Sequence, residues 1–270
     1  MRNYLAALIT LVFCSSSFGY TPKFWFIMDK APKAHGTGVY KISQTVEIIE
    51  KDGSQRMQED WYIYGDNKMF VTVKGINNQF SYQALYTATN KSYLDGSSVK
   101  TEALPDYWLE PFFFFLAPTN IKKYMMQKVM IPRAALSLTK ENPSTDENFI
   151  KLGRFGGQLA IVIGDKARLD SPSKKPSLWL EKNTYKTLYV SLGNGVSVKT
   201  SDYRVPSVDL HLPTMRKVEW DGNVANIKIT GVTLLGGFLE NEVFFSKDRL
   251  NVPKKPIRSS KVNQFYNRFR

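Results

Sequence analysis

Residues 38–75 read GVYKISQTVEIIEKDGSQRMQEDWYIYGDNKMFVTVKG, and apolar side chains alternate with polar ones along most of this stretch. Successive side chains of a strand point to opposite faces of a sheet, so a period of two predicts strands with one apolar face. We predict three strands, over about 39–50, over about 55–64 and around 69–73. Asp-Gly and Gly-Asp-Asn turns separate them, and such turns are typical of antiparallel hairpins.

The same alternation continues on both sides of one central interruption. Consecutive hairpins of this kind predict a mainly β, α+β chain built on one strongly curved antiparallel sheet with a concave interior. We expect a single domain over residues 20–253. Its further predicted strands and hairpins lie in 79–88, 92–101, 148–165, 177–192, 195–205 and 215–235, with a last strand over FLENEVFFS at 238–246.

The interruption is a predicted helical insertion over about 104–130. At its centre, LEPFFFFLAP at 109–118 places four phenylalanines between Pro111 and Pro118, which are suited to open and to close a short helix. Four consecutive phenylalanines leave no polar face on a helix or on a strand. A second helix is expected from Thr119, and an amphipathic helix is expected over TPKFWFIMDKA at 21–31.

Two interpretations of the phenylalanine run stay open. The four rings are either ordinary core between the sheet and a neighbouring helix, or part of a lid over an apolar cavity for lipid. Phenylalanine and methionine make adaptable apolar walls that suit mixed acyl chains. The predicted cavity and lid residues are Trp108, Phe112, Phe113, Phe114, Phe115, Met125 and Met126 in the helical insertion, and Trp61, Ile63 and Trp179 on strands.

The N-terminus predicts export. Arg2 precedes the apolar run YLAALITLVF, and Ser17 and Gly19 are small residues that fit cleavage after residue 19, so residues 1–19 read as a signal peptide. Cleavage there removes Cys14, the only cysteine, and predicts a periplasmic protein without disulfides. A lipid-anchored form through Cys14 is the less favoured alternative, because Phe13 stands where a small residue is expected.

The net charge is +13, and part of this excess lies in the last residues. Segment 254–270 has no acidic residue and is predicted to be a basic tail, with a short helix around 262–269. It either meets an anionic membrane surface or an envelope protein, or it is a solvated terminus. Nucleic acid is not expected as a partner, since no nucleic-acid motif is present. The basic residues of the tail are Lys254, Lys255, Arg258, Lys261, Arg268 and Arg270.

Catalytic and cofactor motifs are absent from the sequence. It contains no G-x-S-x-G, no H-E-x-x-H and no glycine-rich loop between a strand and a helix. The two histidines, His35 and His211, do not have the spacing of a metal site. Glu59 and Asp60 should point to opposite faces of a strand and are expected to be solvated. We therefore predict no metal, no cofactor and no enzymatic activity, with an unrecognised hydrolase as a minor alternative.

Two stretches of the second half resemble LolA/LolB-like proteins, the outer-membrane lipoprotein-sorting (lipoprotein carrier) family. They are SLWLEKNTYKTLYV at 177–190, with its apolar-Trp-apolar-acid strand, and LPTMRKVEWDGNVANIKITGVTLL at 212–235, with its Pro-led strand and Asp-Gly turn. The first half is similar in the order of its elements. The resemblance implies an incomplete antiparallel β-barrel whose concave side is plugged or lidded by helices.

The resemblance also implies a function. A cavity of this family type would hold the acyl chains of a lipid or lipoprotein for transfer to the outer membrane, and a monomer is expected. The alternative is an envelope interaction or stress-sensor module that binds a protein partner through a LolA-like sheet and its strand edges. An open apolar interior would favour the carrier, and an interior filled with side chains would favour the interaction module.

Overall fold

The computed structural model describes most of the chain. The described residues are 21–34, 39–51, 53–64, 68–75, 80–114, 118–129, 131–144, 147–164, 175–207, 210–235, 245–255 and 259–270. The predicted signal peptide and Cys14 lie outside the described residues, as does most of the predicted last strand. Phe245 and Ser246, at the end of that predicted strand, are described and lie in a turn and a bend.

One antiparallel sheet of thirteen strands dominates the described part of the chain. Its order is β6-β5-β4-β3-β2-β1-β13-β12-β11-β10-β9-β8-β7, so β6 and β7 are its two ends and the sheet does not close. This confirms the predicted mainly β, antiparallel and incomplete architecture. The strands are β1 Val39–Glu50, β2 Gly53–Tyr64, β3 Lys68–Gly75, β4 Ser81–Tyr86, β5 Asn90–Asp95, β6 Ser98–Ala103, β7 Ile150–Phe155, β8 Gln158–Ile163, β9 Ser177–Glu181, β10 Thr187–Gly193, β11 Val196–Ser207, β12 Leu210–Trp220 and β13 Asn223–Leu234.

The described helices are short and lie at the start, the middle and the end of the chain. Both prolines of the phenylalanine run occupy the first position of a helix, where a missing N–H costs nothing, so Pro118 opens the second helix and does not close the first. Ser259 caps the last helix by accepting a hydrogen bond from the Val262 N–H. The α-helices are α1 Phe24–Ala34, α2 Pro111–Phe114, α3 Pro118–Lys128 and α4 Ser260–Phe269, and 3-10 turns cover Arg133–Ser137 and Lys247–Arg249.

The main core lies between one face of the sheet, here called the inner face, and all four α-helices. Alternate residues of strands from both ends of the sheet, such as Val71 of β3 and Ile161 of β8, share one buried cluster with Ile27, Met125 and Phe265 of the helices. A single sheet whose distant strands contact the same helices must curve around them. No helix among the described residues is long and apolar enough to cross a membrane.

The opposite, outer face of the sheet carries two smaller apolar clusters. Phe70 of β3 and Leu85 of β4 are covered by Phe245 and Leu250. The covering segment continues along the sheet, where the Lys254 N–H donates to the Leu94 carbonyl. The second outer cluster contains Ala160, Val162, Trp179 and Leu188.

Candidate functional site

The helical insertion brings its aromatic residues directly onto the inner face. Trp108, Phe112 and Phe113 are fully buried, and the Phe112 ring lies 5.3 Å from the Tyr124 ring of α3. Backbone hydrogen bonds from Phe112 to Leu109 and from Phe113 to Glu110 make a tight turn at the start of α2. Both rings point away from water in this turn, so this part of the phenylalanine run has no face that requires polar side chains.

Three side-chain contacts fasten α2 to the sheet. The Thr187 hydroxyl on β10 donates to the Phe112 carbonyl at 2.7 Å. The Arg216 guanidinium on β12 lies 4.9 Å from the centre of the Phe113 ring. Arg216 also donates to the Glu110 carboxylate at 2.6 Å. The helical insertion is therefore held by polar contacts as well as by apolar packing.

Glu110 belongs to a buried polar cluster of five residues, Gln44, Glu59, Glu110, Arg216 and Arg270. Glu110 accepts from Arg216 and, at 2.7 Å, from Arg270. Arg270 in turn donates to Glu59 at 3.1 Å, and the Gln44 amide donates to Glu59 at 2.6 Å. Two carboxylates and two guanidinium groups balance one another, which a low-dielectric interior requires of buried charges.

The neighbours of Glu59 keep it ionised. Burial works to raise the pKa of its carboxyl, but the Arg270 charge and hydrogen bonds from Trp61, Gln44 and Arg270 outweigh burial and lower the pKa below its usual range. For Arg270, burial works to lower the pKa, and the nearby Glu59 and Glu110 raise it above the usual arginine value. Both shifts favour the charged forms of Glu59 and Arg270.

An aromatic stack lies beside this cluster. Trp108 of the helical insertion stacks on Tyr86 of β4, with ring centres 4.3 Å apart and planes 12° apart. Tyr86 stacks in turn on Trp61 of β2 at 5.6 Å. The Arg270 guanidinium lies 5.2 Å from the Trp61 ring. The stack joins the helical insertion, the sheet and the end of α4 into one packed unit.

The structure brings together most of the residues predicted for the cavity and lid. Trp61, Ile63, Trp108, Phe112, Phe113 and Met125 share the buried core, and Met126 packs against it while partly buried. Nothing is described of the Phe114 side chain, and Phe115 lies outside the described residues. These placements put the residues on one apolar surface and leave their role in lipid binding a prediction.

Trp179 is not a wall of this site, and the prediction that placed it there is wrong. Leu178 and Leu180 of β9 belong to the main core, whereas Trp179 packs in the outer cluster with Val162 and Leu188. Side chains alternate along a strand, so a residue between two inward-facing leucines points outward. Both faces of β9 are apolar, so its composition alone does not show which face points toward the main core.

The prediction that residues 254–270 form a basic tail is correct only in part. Val262, Phe265, Tyr266 and Phe269 of α4 are buried in the main core, and Arg270 is 1% exposed. Arg268 pairs with Asp221, so the segment is neither a solvated terminus nor a purely basic surface. Lys255 is exposed, Lys254 and Lys261 are partly exposed, and Arg258 lies outside the described residues.

The sequence interpretation missed the polar cluster. Glu59 was expected to be solvated, but it is fully buried, because its position in β2 is in phase with Met57 and Trp61 on the inner face. Gln44 occupies the matching position in β1, opposite Glu59 in the strand register. Polar residues at two paired core positions are the signal that could have identified this cluster.

Three surface pockets among the described residues have volumes of about 320, 560 and 570 Å³. The first lies over the outer face around Phe155 and Tyr203, the second beside α1 and α3, and the third between Tyr107 and Leu192. Phe112 and Phe113 line none of these three pockets. Both rings instead pack in the filled core under the helices.

Comparison with solved structures relates this architecture to proteins of known fold. A domain named for outer-membrane lipoprotein sorting from Vibrio parahaemolyticus superposes with a TM-score of 0.52 at 13% identity, over 84% of this chain and 97% of that one. A LolA superfamily protein from Nitrosomonas europaea gives a TM-score of 0.54 at 10% identity, over 84% and 99%. A DUF1329 family protein from Desulfovibrio piger gives 0.50 at 11% identity, over 84% and 97%.

Comparison of sequences adds no closer relative. No protein-family model matches the chain, and no curated protein matches it significantly. The likeness is therefore one of three-dimensional structure, and it confirms at the level of fold the resemblance seen in the two stretches at 177–190 and 212–235. The chain has the fold of LolA-superfamily and lipoprotein-sorting domain structures.

Proposed function

We propose that this chain is a non-catalytic carrier that binds the acyl chains of a lipid or lipoprotein between the inner face of its sheet and the helical insertion. The observation that carries the proposal is the composition of that layer. In the described part of the chain, the inner face is apolar around the polar cluster of Gln44, Glu59 and Arg216, and short helices cover it rather than a second sheet. Displacing α2 and α3 would expose a curved apolar surface with no strand pairing to break.

In this proposal the structure is the closed form of the carrier. An entering acyl chain moves α2 away from the sheet and packs between the inner face and the rings of Phe112 and Phe113, which fill the layer in the closed form. A chain of sixteen carbons gains on the order of 12 kcal/mol when buried, at about 0.8 kcal/mol per CH₂ and before the costs of binding. That gain is large enough to offset the lost contacts of the two rings with the sheet and the loss of the Thr187 hydrogen bond. The ion pairs of Glu110 with Arg216 and Arg270 must stay intact on entry, because breaking them would leave buried charges without partners.

The experiment is uptake of a fluorescent fatty acid, with native mass spectrometry of the purified protein to detect co-purified lipid. Phe113→Ser should reduce uptake at least severalfold while the protein stays folded. Phe70→Ser is the matched control, because it makes the same change in a buried ring on the outer face. Absence of uptake by the unsubstituted chain together with absence of co-purified lipid would refute the carrier function.

A second candidate is the interaction module, and the dense packing of the described core favours it. The described core holds a balanced buried charge cluster and stacked aromatics, which stabilise a rigid domain. In that case the chain binds a protein partner of the envelope through its surface and its strand edges. Pull-down of a specific protein by a chain that takes up no acyl probe would support this candidate over the first.

The proposed location is the periplasm, supported by the signal-peptide pattern of residues 1–19 and by the lipoprotein-sorting fold. We expect a mature N-terminus at Tyr20 and a monomer without metal or cofactor. Intact-mass measurement of the protein from an envelope fraction tests this. A mass that matches a diacylated Cys14 would instead place the protein on a membrane.

A further inference from the structure

A pocket beside the helical insertion combines aromatic rings with positive charge. Helix α1 contributes Trp25, Phe26 and Lys30 to it, and α3 contributes Lys122. The segment after α3 closes it with Leu138 and Lys140, and its volume is about 560 Å³. We call this the basic pocket.

The charges of the basic pocket are unequal. Three lysines, Lys30, Lys122 and Lys140, line it together with one carboxylate, Asp29. Lys122 is held in place by donating to the Leu138 carbonyl at 2.9 Å, and partial burial lowers the pKa of its ammonium. Lys30 lies 5.5 Å from the centre of the Phe26 ring. The pocket is therefore cationic, and its aromatic residues are within reach of the charged groups.

The aromatic residues of the pocket are only half-buried. Trp25 and Phe26 lie on the side of α1 that does not enter the main core, whereas Phe24, Ile27 and Met28 do enter it. Tryptophan and phenylalanine beside lysines suit the boundary between lipid headgroups and acyl chains, where one end of a side chain is apolar and the other is wet. Lysines at that boundary are attracted to anionic headgroups.

We propose that the basic pocket docks the protein on a bilayer that contains anionic phospholipid. Trp25 and Phe26 enter the headgroup layer, and Lys30, Lys122 and Lys140 contact lipid phosphates. We choose this partner for its charge. A cationic pocket matches an anionic surface better than a neutral one, and an anionic bilayer offers many phosphates at once. This surface is distinct from the acyl-chain layer, and docking there does not require acyl-chain uptake.

The position of the pocket gives docking a consequence for the rest of the molecule. Helix α1 packs against α3, the second helix of the insertion. A bilayer contacting α1 and Lys122 would lie next to the elements that cover the inner face. This surface also replaces the basic tail as the proposed membrane contact, because the apolar side of α4 packs in the main core and Arg270 is buried.

The chain carries its own reporter for this contact. It has five tryptophans, and four of them, Trp61, Trp108, Trp179 and Trp220, are at most 1% exposed. Trp25 is the accessible one. A blue shift of tryptophan emission and quenching by brominated phosphatidylcholine on vesicle addition would therefore report on Trp25, and Trp25→Phe should abolish both signals.

The test uses vesicles of 30% phosphatidylglycerol in phosphatidylcholine, with pure phosphatidylcholine for comparison. We expect binding to the anionic vesicles, a Trp25 blue shift, and weakening by salt. The double variant Lys30→Glu/Lys140→Glu should bind at least about 25-fold more weakly, at roughly fivefold per lysine near the surface. The control Lys74→Glu/Lys228→Glu makes the same charge change at exposed strand positions and should lose far less.

Three outcomes would overturn the proposal. Equal losses in the two double variants would mean that net charge alone binds the vesicles. Binding without any change in Trp25 emission would place the contact elsewhere. Absence of binding to anionic vesicles by the unsubstituted chain would rule out docking on a bilayer. An acidic protein that contacts Lys30 and Lys140 would then be the better partner.

Discussion

Replacing Arg270 by methionine should destabilise the protein more than replacing any exposed arginine. Arg270 reaches two fully buried carboxylates, Glu59 at 3.1 Å and Glu110 at 2.7 Å. Without it, Glu110 keeps its ion pair with Arg216, whereas Glu59 keeps hydrogen bonds from neutral donors such as Gln44 and Tyr266. Breaking a buried ion pair on one side costs about 3–5 kcal/mol, because a charge stays buried without its partner.

The assay is urea unfolding followed by tryptophan fluorescence, supported by calorimetry. For a chain of this size each kcal/mol corresponds to roughly 2–4 °C, so the melting temperature should fall by about 6–20 °C. Arg268→Met is the matched control, since Arg268 is partly exposed and its pair with Asp221 is worth about 0–1 kcal/mol. A cost for Arg270→Met no greater than that of Arg268→Met would refute the reasoning.

A second variant separates charge from packing. Arg270→Met/Glu59→Gln removes the carboxylate that Arg270 leaves behind, so it should recover a large part of the lost stability. If the double variant is as unstable as the sum of the two single variants, the loss comes from packing of the long arginine side chain and not from the uncompensated charge.

The remaining predictions concern the core, the pH dependence and the outer face. Phe112→Ala should cost about 3–5 kcal/mol in unfolding free energy, measured with urea, because the ring is fully buried in a packed layer. Burial lowers the pKa of Lys91 to about 8. Between about pH 8 and 10 the unfolded chain therefore keeps a proton that the folded chain has released, so the free energy of unfolding should rise with pH in this range. Lys91→Met should remove this rise in urea titrations at pH 7.5, 8.5 and 9.5. Trp179→Ala should lower stability and leave acyl-probe uptake within twofold, since Trp179 lies on the outer face; a large loss of uptake would contradict that placement.

The strand pattern could be predicted from sequence because burial on one face imposes a period of two. The predicted first strand at 39–50 coincides with β1, and the later hairpins fall on paired strands of the sheet. Helix α4 was also anticipated near 262–269. In each case a local pattern of apolar residues determines the element, so no knowledge of distant contacts is needed.

The candidate site could be predicted only in part, because it depends on contacts between distant residues. Arg270 and Glu59 are 211 positions apart, and Arg216 and Glu110 are 106 apart. Nothing local to Arg270 distinguishes it from the exposed cations of the same segment. The prediction for Trp179 failed for a related reason. Strand β9 is apolar on both sides, and its pairing with β8 and β10 decides which side faces inward.

The pairing of β1 with β13 has a consequence for how the chain folds. Every other pair in the sheet joins strands that are neighbours along the chain, whereas Ile42 faces Val232 across this seam. Closing a loop of that length is entropically costly and contributes to slow folding. We therefore expect two locally formed meanders, β1–β6 and β7–β13, that meet late along one seam. Until they meet, the edge of each meander is open to pairing with another chain, so the seam is where refolding and aggregation compete.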